Sequence, residues 1–453
     1  MYSSYSPLQQ SQLAAQGYYD TQSTYLLVYA PGRNTALRAT LADQLHRKFR
    51  LADTLGSALT EGVDGVLLVS EDVECMSTAL MCFAKALQDG ADYAVCNAVF
   101  GFGGATALYQ SRAHLAQNRC ALVSRPLLER CRAAAKDPEN VTELLALAAQ
   151  FCAHPARIPQ ALLHYERDIC AEDAFSATGK RAFLMSHVLD MTGAPIVLVS
   201  AVPVLRSMGY EVVVLGPSDG GALQLFVDAG AAVITRPGIR ATPNLWGLAL
   251  CTDLVLVNTV VMARTVRALS GTAVPVLWWL HDAFAGYPHI AHQIPTKLAE
   301  NVRLYSVGHH AANAMHAVRP DFQIGQLIYG LPDYAAEDFP RCDLGYPADK
   351  PLFATVGSFE RRKGHDIFCA AIRLLPEEVR NKATFLFVGM AADKEMMDAV
   401  RSLTTDCPEN VFYCKRLSRD EIKNLMEQCT CLVCASRDDP MPTFVTEGLI
   451  FGK

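Results

Sequence analysis

No stretch of the chain reaches the roughly 18 to 20 uninterrupted apolar residues that cross a bilayer as a helix. The richest run, around Val274 to Leu280, is short and ends at His281 and Asp282. The N-terminus, MYSSYSPLQQSQLAAQ, has neither the positive n-region nor the apolar h-region of a secretory signal and reads as a frayed polar leader. These two absences predict a soluble, cytoplasmic protein, with peripheral membrane contact left open. Long blocks of one charge are also missing. The 40 basic and 46 acidic residues leave a net charge of -6 and no basic footprint for nucleic acid, so an anionic ligand has to be held by local groups. The composition lacks the signature of disorder, since hydrophobic residues make up 51% and charged residues 19%. Cysteine is plentiful, but a disulfide framework is not: the 15 cysteines are scattered through apolar segments and read as reduced, mostly buried thiols. Cys429, Cys431 and Cys434 include a CxxC, yet the run CTCLVCAS reads as a buried strand, and a zinc site wants a second ligand pair on a turn.

The 453 residues are enough for about three domains at roughly 150 residues each. Three segments separate on pattern. From Tyr25 to about Asp168, short apolar strands such as Tyr25 to Tyr29 and Gly65 to Val69 alternate with amphipathic stretches such as Met76 to Gln88. A polar connection around Ile169 to Lys180 leads into repeated β-α units. Their strands read as Arg181 to Leu184, Glu211 to Leu215, Ala232 to Thr235, Leu254 to Val257, Val274 to Leu280 and Arg303 to Val307. The scheme repeats after Pro351 with Leu352 to Val356, Thr384 to Val388, Val411 to Tyr413 and Cys431 to Cys434, then a helix over Pro442 to Phe451. Strands spaced by helices in this way predict doubly wound parallel sheets. Because the chain stops at Lys453 directly after a helix, the pattern predicts a truncated last domain with an open sheet edge beside Cys431 to Cys434 and poor solubility.

Two segments carry chemistry. In GSFERRKGHDIF a strand ends at Gly357 and Ser358, a loop carries Arg361, Arg362 and Lys363, and Gly364 precedes a helix. Basic side chains beside a helix N-terminus neutralise a diphosphate, at the strand ends where open α/β sheets bind ligands. In SRDDPMPTFVTEGLIFGK, Asp439 and Glu447 are separated by seven residues, with Glu447 on the helix that follows the Pro440 and Pro442 turn. Carboxylates there accept hydrogen bonds from sugar or ribose hydroxyls, while free amides near Thr443 meet phosphate. A solvated basic loop is the plain alternative for the first segment taken alone.

Together these motifs resemble the retaining glycosyltransferases of family 4, over about Phe183 to Lys453. GSFERRKG resembles that family's donor loop, and DDPMPTFVTEGLIFGK resembles its E-x7-E motif with Asp439 in place of the first Glu. MTGAPIVLVSAVPVLRSMGYEVVVLGPSDG resembles the opening turn and helix of the acceptor-side domain. LVNTVV, WWLHDAF, YSVGHHAANAM and LIYGLPDY fall where the family has successive strand ends and its hinge. The resemblance implies a GT-B fold of twin Rossmann-like domains, 181–340 on the acceptor side and 341–453 on the donor side, the second incomplete. It implies a nucleotide-diphosphate sugar donor. Thr192, Gly193 and Ala194 would approach its phosphates, Arg362 and Lys363 would stabilise the departing diphosphate, Glu447 would hold the ribose, and Asp439 would lie near the sugar. His281 would contact the transferred sugar, with Asp282 its rival and a hydrogen-bonded core role the alternative. Thr192 to Pro195 as a mere tight turn is likewise open. No metal is required at such a site. His309 and His310 read as surface or cap residues, Trp278 and Trp279 as sheet core, and Gly101 to Gly104 carry no nucleotide role.

Residues 1–170 resemble, in part, a small family 2 glycosyltransferase domain of GT-A type. Glu71 and Asp72 follow a strand where that family binds a divalent cation, so Mg²⁺ or Mn²⁺ is implied if this domain is active. ARIPQALLHYERD resembles the family's closing strand. The second strand, with its acidic turn, is missing from the pattern between Ala36 and Leu51, and Pro138-Glu139-Asn140 stands where the family has a catalytic Glu-Asp pair. An amide takes no proton from an acceptor hydroxyl, so the segment reads as degenerate and inactive, with a working second transferase as the alternative. The chain is thus expected to move sugar from a nucleotide-diphosphate donor to a glycan or lipid-linked acceptor in cell-surface polysaccharide assembly. A non-catalytic nucleotide-sugar or glycan-binding scaffold, or a nucleotide-sugar 2-epimerase of the same architecture, stand as alternatives; the RRKG and D-x7-E pair favours the transferase.

Overall fold

The computed structural model describes residues 18–56, 59, 62–101, 105–111, 114, 118–176, 179–239, 246–347 and 349–453. Of the GFGG run, only Gly101 lies within the described residues. The chain divides into two compact units. The first holds residues through 191, 201–256 and 272–276; the second holds 192–200, 257–271 and 277–453. These are not the three segments of the sequence pattern, because the first unit joins the N-terminal segment to most of the first β-α repeats.

Among the described residues, eight strands precede residue 170: β1 (Leu26–Tyr29), β2 (Phe49–Ala52), β3 (Gly65–Val69), β4 (Glu74–Cys75), β5 (Tyr93–Phe100), β6 (Thr106–Tyr109), β7 (Cys120–Ser124) and β8 (Pro155–Tyr165). Three more in the first unit are β9 (Lys180–Met185), β10 (Tyr210–Gly216) and β11 (Ala232–Thr235). Nine of them run in the order β9-β10-β11-β6-β5-β7-β3-β1-β2, while β8 pairs with β5 and with β4 off that path. β1 and β3 are apolar and wholly buried, the pattern of strands covered on both faces. Leu27, Leu68, Tyr93, Val123, Leu127 and Leu144 form the core beneath them.

The join is made by β6, which pairs antiparallel with β11 through Val233 with Tyr109, Ile234 with Leu108 and Thr235 with Ala107. The Tyr109 hydroxyl donates to the Asp219 carboxylate at 2.9 Å, and the Ser111 hydroxyl donates to the Gly230 carbonyl at 3.1 Å. A hairpin of the N-terminal segment therefore covers what is otherwise the free edge of β11.

The expectation of a missing second strand is overturned. β2 follows a helix, Thr35–Leu41, and lies parallel to β1 from Leu26 with Phe49 to Tyr29 with Ala52, with Asp53 just beyond its end. It escapes a reading by pattern because FRLA is only half-buried and carries no apolar run.

Later strands are β12 (Leu254–Asn258), β13 (Val276–Leu280), β14 (Val302–Ser306) and β15 (Ile324–Gln326). The second unit also has a four-stranded parallel sheet of β16 (Leu352–Val356), β17 (Thr384–Val388), β18 (Val411–Cys414) and β19 (Cys431–Leu432), in the order β18-β17-β16-β19. Alternation along β17 builds a core on each face, Phe385 and Phe387 with Phe368 and Val400 on one side, Leu386 and Val388 with Leu425 on the other. The helix Arg419–Gln428 starts on a reciprocal cap, in which the Ser418 hydroxyl accepts from Glu421 N–H and the Glu421 carboxylate accepts from Ser418 N–H.

Trp278 and Trp279 are core residues of β13. The buried strand expected at Cys431 to Cys434 is a two-residue edge strand instead. Cys429 is buried, but Cys431 and Cys434 are exposed, because β19 has a neighbour on one side only. All 15 cysteines are free. Among the described residues no helix is long and apolar enough to cross a membrane.

Removing residues 1–170 uncovers the edge of β11. The fragment is expected to elute as aggregates in size-exclusion chromatography under conditions where the whole chain is monodisperse. A monodisperse fragment with an unchanged melting temperature would mean that β6 contributes nothing to this edge.

Candidate functional site

β16 and β19 are parallel neighbours, so their C-terminal loops emerge side by side. The first is the RRK turn, Arg361–Lys363, and the second is the segment from Ser436 to Pro442. The backbone joins them: Arg437 N–H donates to the Arg362 carbonyl at 2.7 Å, and Asp438 N–H to the same oxygen at 3.2 Å. The Arg437 guanidinium donates to the Arg361 carbonyl at 2.9 Å and to both carboxylate oxygens of Asp366 at 2.7 Å. Gly364 makes this approach possible. It sits at φ +71, and a Cβ there would lie 1.9 Å from the Ala435 carbonyl oxygen.

The two motifs read from the sequence meet in an ion pair. The Lys363 ammonium donates to Asp439 Oδ2, with the two side chains only 16% and 9% exposed. Arg362 uses its Nε–H on Glu360 Oε2 at 2.8 Å. Burial pulls the Glu360 carboxyl upward, but the Ser358 hydroxyl and the Arg362 guanidinium hold it below its ordinary value. An ammonium has three donors and a guanidinium five, so both cations keep donors for a phosphate after these contacts. Gly357, whose backbone packs against the Lys363 stem, ends the strand beneath. Past Asp439, the helix Thr443–Ile450 begins after Pro442 without a side-chain cap, and a Cβ on Gly193 would be 3.7 Å from the Thr443 methyl. Thr192, Gly193 and Ala194 therefore lie against that helix start, where backbone N–H groups favour an anion.

Glu447 is buried, and its Oε1 accepts from the Arg419 guanidinium at 2.6 Å; Arg419 in turn lies 4.3 Å over the Tyr334 ring. The sequence reading assigned Glu447 to a ribose and missed Arg419, whose position 28 residues upstream carries no motif.

On the other side, the His281 ring lies 4.6 Å from that of Trp279, and Asp282 Oδ2 accepts from Val260 N–H at 2.6 Å. Loss of water pushes the Asp282 carboxyl up to about 6, against the opposing pull of the Val260 and His281 backbone N–H groups. The Val260 amide is aimed by Thr259, the one non-glycine residue with a positive φ among the described residues, at φ 72 and ψ 161. That region is nearly reserved to glycine and costs a β-branched residue about 1–3 kcal/mol. Thr259 is held there from both ends: its N–H donates to the Trp279 carbonyl and its carbonyl accepts from the Trp278 indole, each at 2.8 Å. The adjacent Asn258 amide donates to the Ala194 carbonyl at 3.0 Å, which ties the glycine turn to the same strand end.

His310 is more than a cap. Its Nε2 meets Asp438 Oδ1 at 2.7 Å, and the Asp438 carboxylate also accepts from Ala285 N–H at 2.9 Å and Phe284 N–H at 3.3 Å. His309 interacts with Gln326. An open groove of about 750 Å³ along β14 and β15, lined by Lys297, Arg303 and Asp321 among others, holds none of these residues.

In the first unit, Asp72 is engaged by backbone. Its carboxylate accepts from the N–H groups of Thr35, Ala36 and Leu37 at 2.9 to 3.0 Å, capping the helix Thr35–Leu41. Glu71 pairs with Arg167 at 2.6 Å. Among the described residues no group of three or more His, Cys, Asp or Glu side chains is placed to hold a metal ion. Glu139 accepts from Leu55 N–H at 2.6 Å and Gly56 N–H at 3.0 Å, and Asn140 caps the helix Val141–Phe151.

With this geometry established, residues 178–316 match the family described as Glycosyl-transferase family 4, and residues 338–453 match that described as Glycosyl transferases group 1. The chain is a glycosyltransferase. No curated protein matches it. Among solved structures, WaaG, a glycosyltransferase involved in lipopolysaccharide biosynthesis, is similar at 17% identity and a TM-score of 0.46, over 60% of the transferase and 79% of WaaG. Sucrose-phosphate synthase from Thermosynechococcus elongatus is similar at 15% identity and a TM-score of 0.45, over 60% of the transferase and 80% of that chain. The E. coli trehalose-6-phosphate structure bound with UDP-2-fluoro glucose is similar at 10% identity and a TM-score of 0.44, over 60% and 82%. Likenesses this distant say nothing about the transferase's substrates.

Two outcomes follow. Gly364→Ala forces a side chain into the Ala435 carbonyl; the variant is expected to melt at least about 5 °C lower in calorimetry, since both the φ and the contact are refused. For Asp282, the folded-state value of about 6 lies above the ordinary 3.8, so the folded state binds the proton more tightly. Stability contributed by this group is present below about pH 4, falls as pH rises through 6 and is constant above. Asp282→Asn is expected to flatten that part of the melting-temperature profile and to raise stability at pH 7.5 by on the order of 1–2 kcal/mol. An unchanged slope between pH 4 and 6 would place the titration elsewhere.

Proposed function

We propose that the transferase moves a sugar, with retention at the anomeric carbon, from a nucleotide-diphosphate donor to a glycan or lipid-linked acceptor in the assembly of a cell-surface polysaccharide. One observation carries the donor site: the RRK turn and the loop bearing Asp439 are fused by backbone hydrogen bonds and by the Lys363–Asp439 pair, beside an uncapped helix start. Arg362, Lys363 and the N–H groups at Thr443 meet the diphosphate, with Gly357, Ser358, Arg361 and Pro442 shaping the turns that hold it. Thr192, Gly193 and Ala194 close over it. Asp439 and His281 face the sugar, Asp282 fixes the loop that bears His281, and Glu447, steadied by Arg419, takes the ribose. As the bond between the anomeric carbon and the diphosphate oxygen breaks, the acceptor hydroxyl adds to the same face of that carbon and its proton passes to the departing diphosphate oxygen. The protein's part is to stabilise the charge gathering on the leaving group. Because two cations and a helix start face that charge, the site calls for no metal.

Segments 181–340 and 341–453 are read as the acceptor-side and donor-side domains of this enzyme. Residues 1–170 are read as a degenerate GT-A-like domain without a reaction of its own. The second strand, β2, is present with Asp53 at its end. In support of that reading, Asp72 serves a helix start and Asn140 a second one.

The test is a thermal-shift and calorimetric titration with UDP, GDP and dTDP. One nucleotide at about 100 times its Kd is expected to raise the melting temperature by roughly 2–4 °C. That shift is expected to vanish in Arg362→Ala/Lys363→Ala and to persist in Asp72→Ala. Binding that needs Mn²⁺ and Asp72 would move the active site to the N-terminal segment, and binding of none would leave a scaffold.

A further inference from the structure

Asp438 is the acidic neighbour of the residue that matches the family motif, and nothing in the motif gives it a task. Its surroundings do. One carboxylate gathers the N–H groups of Phe284 and Ala285 at 3.3 and 2.9 Å and His310 Nε2 at 2.7 Å, from positions 128 to 154 residues away. Its own N–H donates to the Arg362 carbonyl at 3.2 Å, and its neighbour Asp439 pairs with Lys363. The Phe284 ring meets the His310 ring edge-on with centroids 5.2 Å apart, so the clamp has an apolar cover. Burial pushes the Asp438 carboxyl upward, yet these donors hold it below its ordinary value, so it is a carboxylate at neutral pH. Phe284 and Ala285 follow His281 and Asp282 directly in the chain.

We propose that Asp438 is the positioning residue that registers the loop bearing His281 and Asp282 against the diphosphate-binding RRK turn, so that occupancy of the turn is transmitted to that loop. This rests on the donor-site reading above. With the carboxylate in place, a nucleotide that orders Arg362 and Lys363 also fixes the segment from Ser436 to Asp439, and through Asp438 the amides of 284 and 285. Without it, the nucleotide still finds its cations and the helix start, but the His281 loop is no longer held to them. A misplacement of about 1 Å at such a loop is enough to cost on the order of 100-fold in rate. His310 serves as the third donor and keeps the carboxylate from turning away.

The experiment is amide hydrogen exchange read by mass spectrometry over residues 281–290, with and without the nucleotide that the wild-type chain binds among UDP, GDP and dTDP. It compares wild type with Asp438→Ala, Asp438→Asn and His310→Ala, and calorimetry measures nucleotide affinity in parallel. In wild type, nucleotide is expected to slow exchange in this segment. In Asp438→Ala, affinity is expected to change by less than about threefold while the nucleotide-dependent slowing disappears and basal exchange rises by about tenfold or more. Asp438→Asn, which keeps an acceptor oxygen of the same reach, is expected to recover part of the slowing, and His310→Ala to lose part of it. A general structural defect would not be rescued by Asn in this segment alone. If Asp438→Ala binds nucleotide and shows the wild-type slowing, the clamp transmits nothing and the inference fails while the donor site stands. If Asp438→Ala and Asp438→Asn both fold yet lose nucleotide binding, Asp438 belongs to the binding machinery and its positioning role is wrong. If wild type binds none of the three nucleotides, the donor-site reading itself fails and the inference with it.

Discussion

The close approach of two loop backbones, permitted by the absence of a side chain at Gly364, is the constraint on which the proposed donor site depends. β16 and β19 are parallel neighbours, and their exits must cross with the Ala435 carbonyl lying where a Cβ would be. Once they touch, the Arg362 carbonyl accepts two N–H groups, Arg437 locks onto Asp366, and Lys363 reaches Asp439. The cations are thereby placed at a strand end and beside a helix start without long, floppy reach. Geometry of this kind, fixed before any ligand arrives, is what lets electrostatic stabilisation act at the moment charge moves.

The charges are paired in advance, and that shapes what they can do. Lys363 with Asp439, Arg362 with Glu360, and Arg419 with Glu447 each keep a half-buried ion from standing alone, which would cost several kcal/mol. Each pair also leaves hydrogen-bonding capacity unused on the cation. An anion can therefore join these pairs and need not first break them. The same economy governs Asp282, which remains a costly half-buried carboxylate because the Val260 amide is delivered to it by a strained Thr259.

How much of this was legible in the sequence follows from where each signal resides. Strands such as β3 and β17 announce themselves because GVLLV and TFLFV are apolar throughout, and the RRKG and D-x7-E spacings lie within single local segments. The pairing of Lys363 with Asp439 was foreseeable once both were placed at neighbouring strand ends. β2 was not, since its half-buried FRLA lacks the run that marks a strand, and neither was the exposure of Cys431 and Cys434, which depends on β19 being an edge. Asp438 with His310, Arg419 with Glu447, and β6 with β11 join residues dozens to more than a hundred positions apart, so no local period could reveal them. Thr259 gave no sign because nothing in its side chain suits the backbone it adopts; tertiary hydrogen bonds impose it.

In the N-terminal segment, acidic residues at strand ends and in loops hold backbone. Asp72 closes a helix start with three accepted N–H groups, Glu139 fixes the loop after β2, and Asn140 starts another helix. Each contact stabilises a fold by satisfying amides that water would otherwise reach, and each withdraws an oxygen or an amide from chemistry. The segment then contributes something a sheet needs regardless of catalysis, an antiparallel partner for the edge of β11. In this segment the carboxylates at the strand ends hold backbone, and β6 holds the edge of β11.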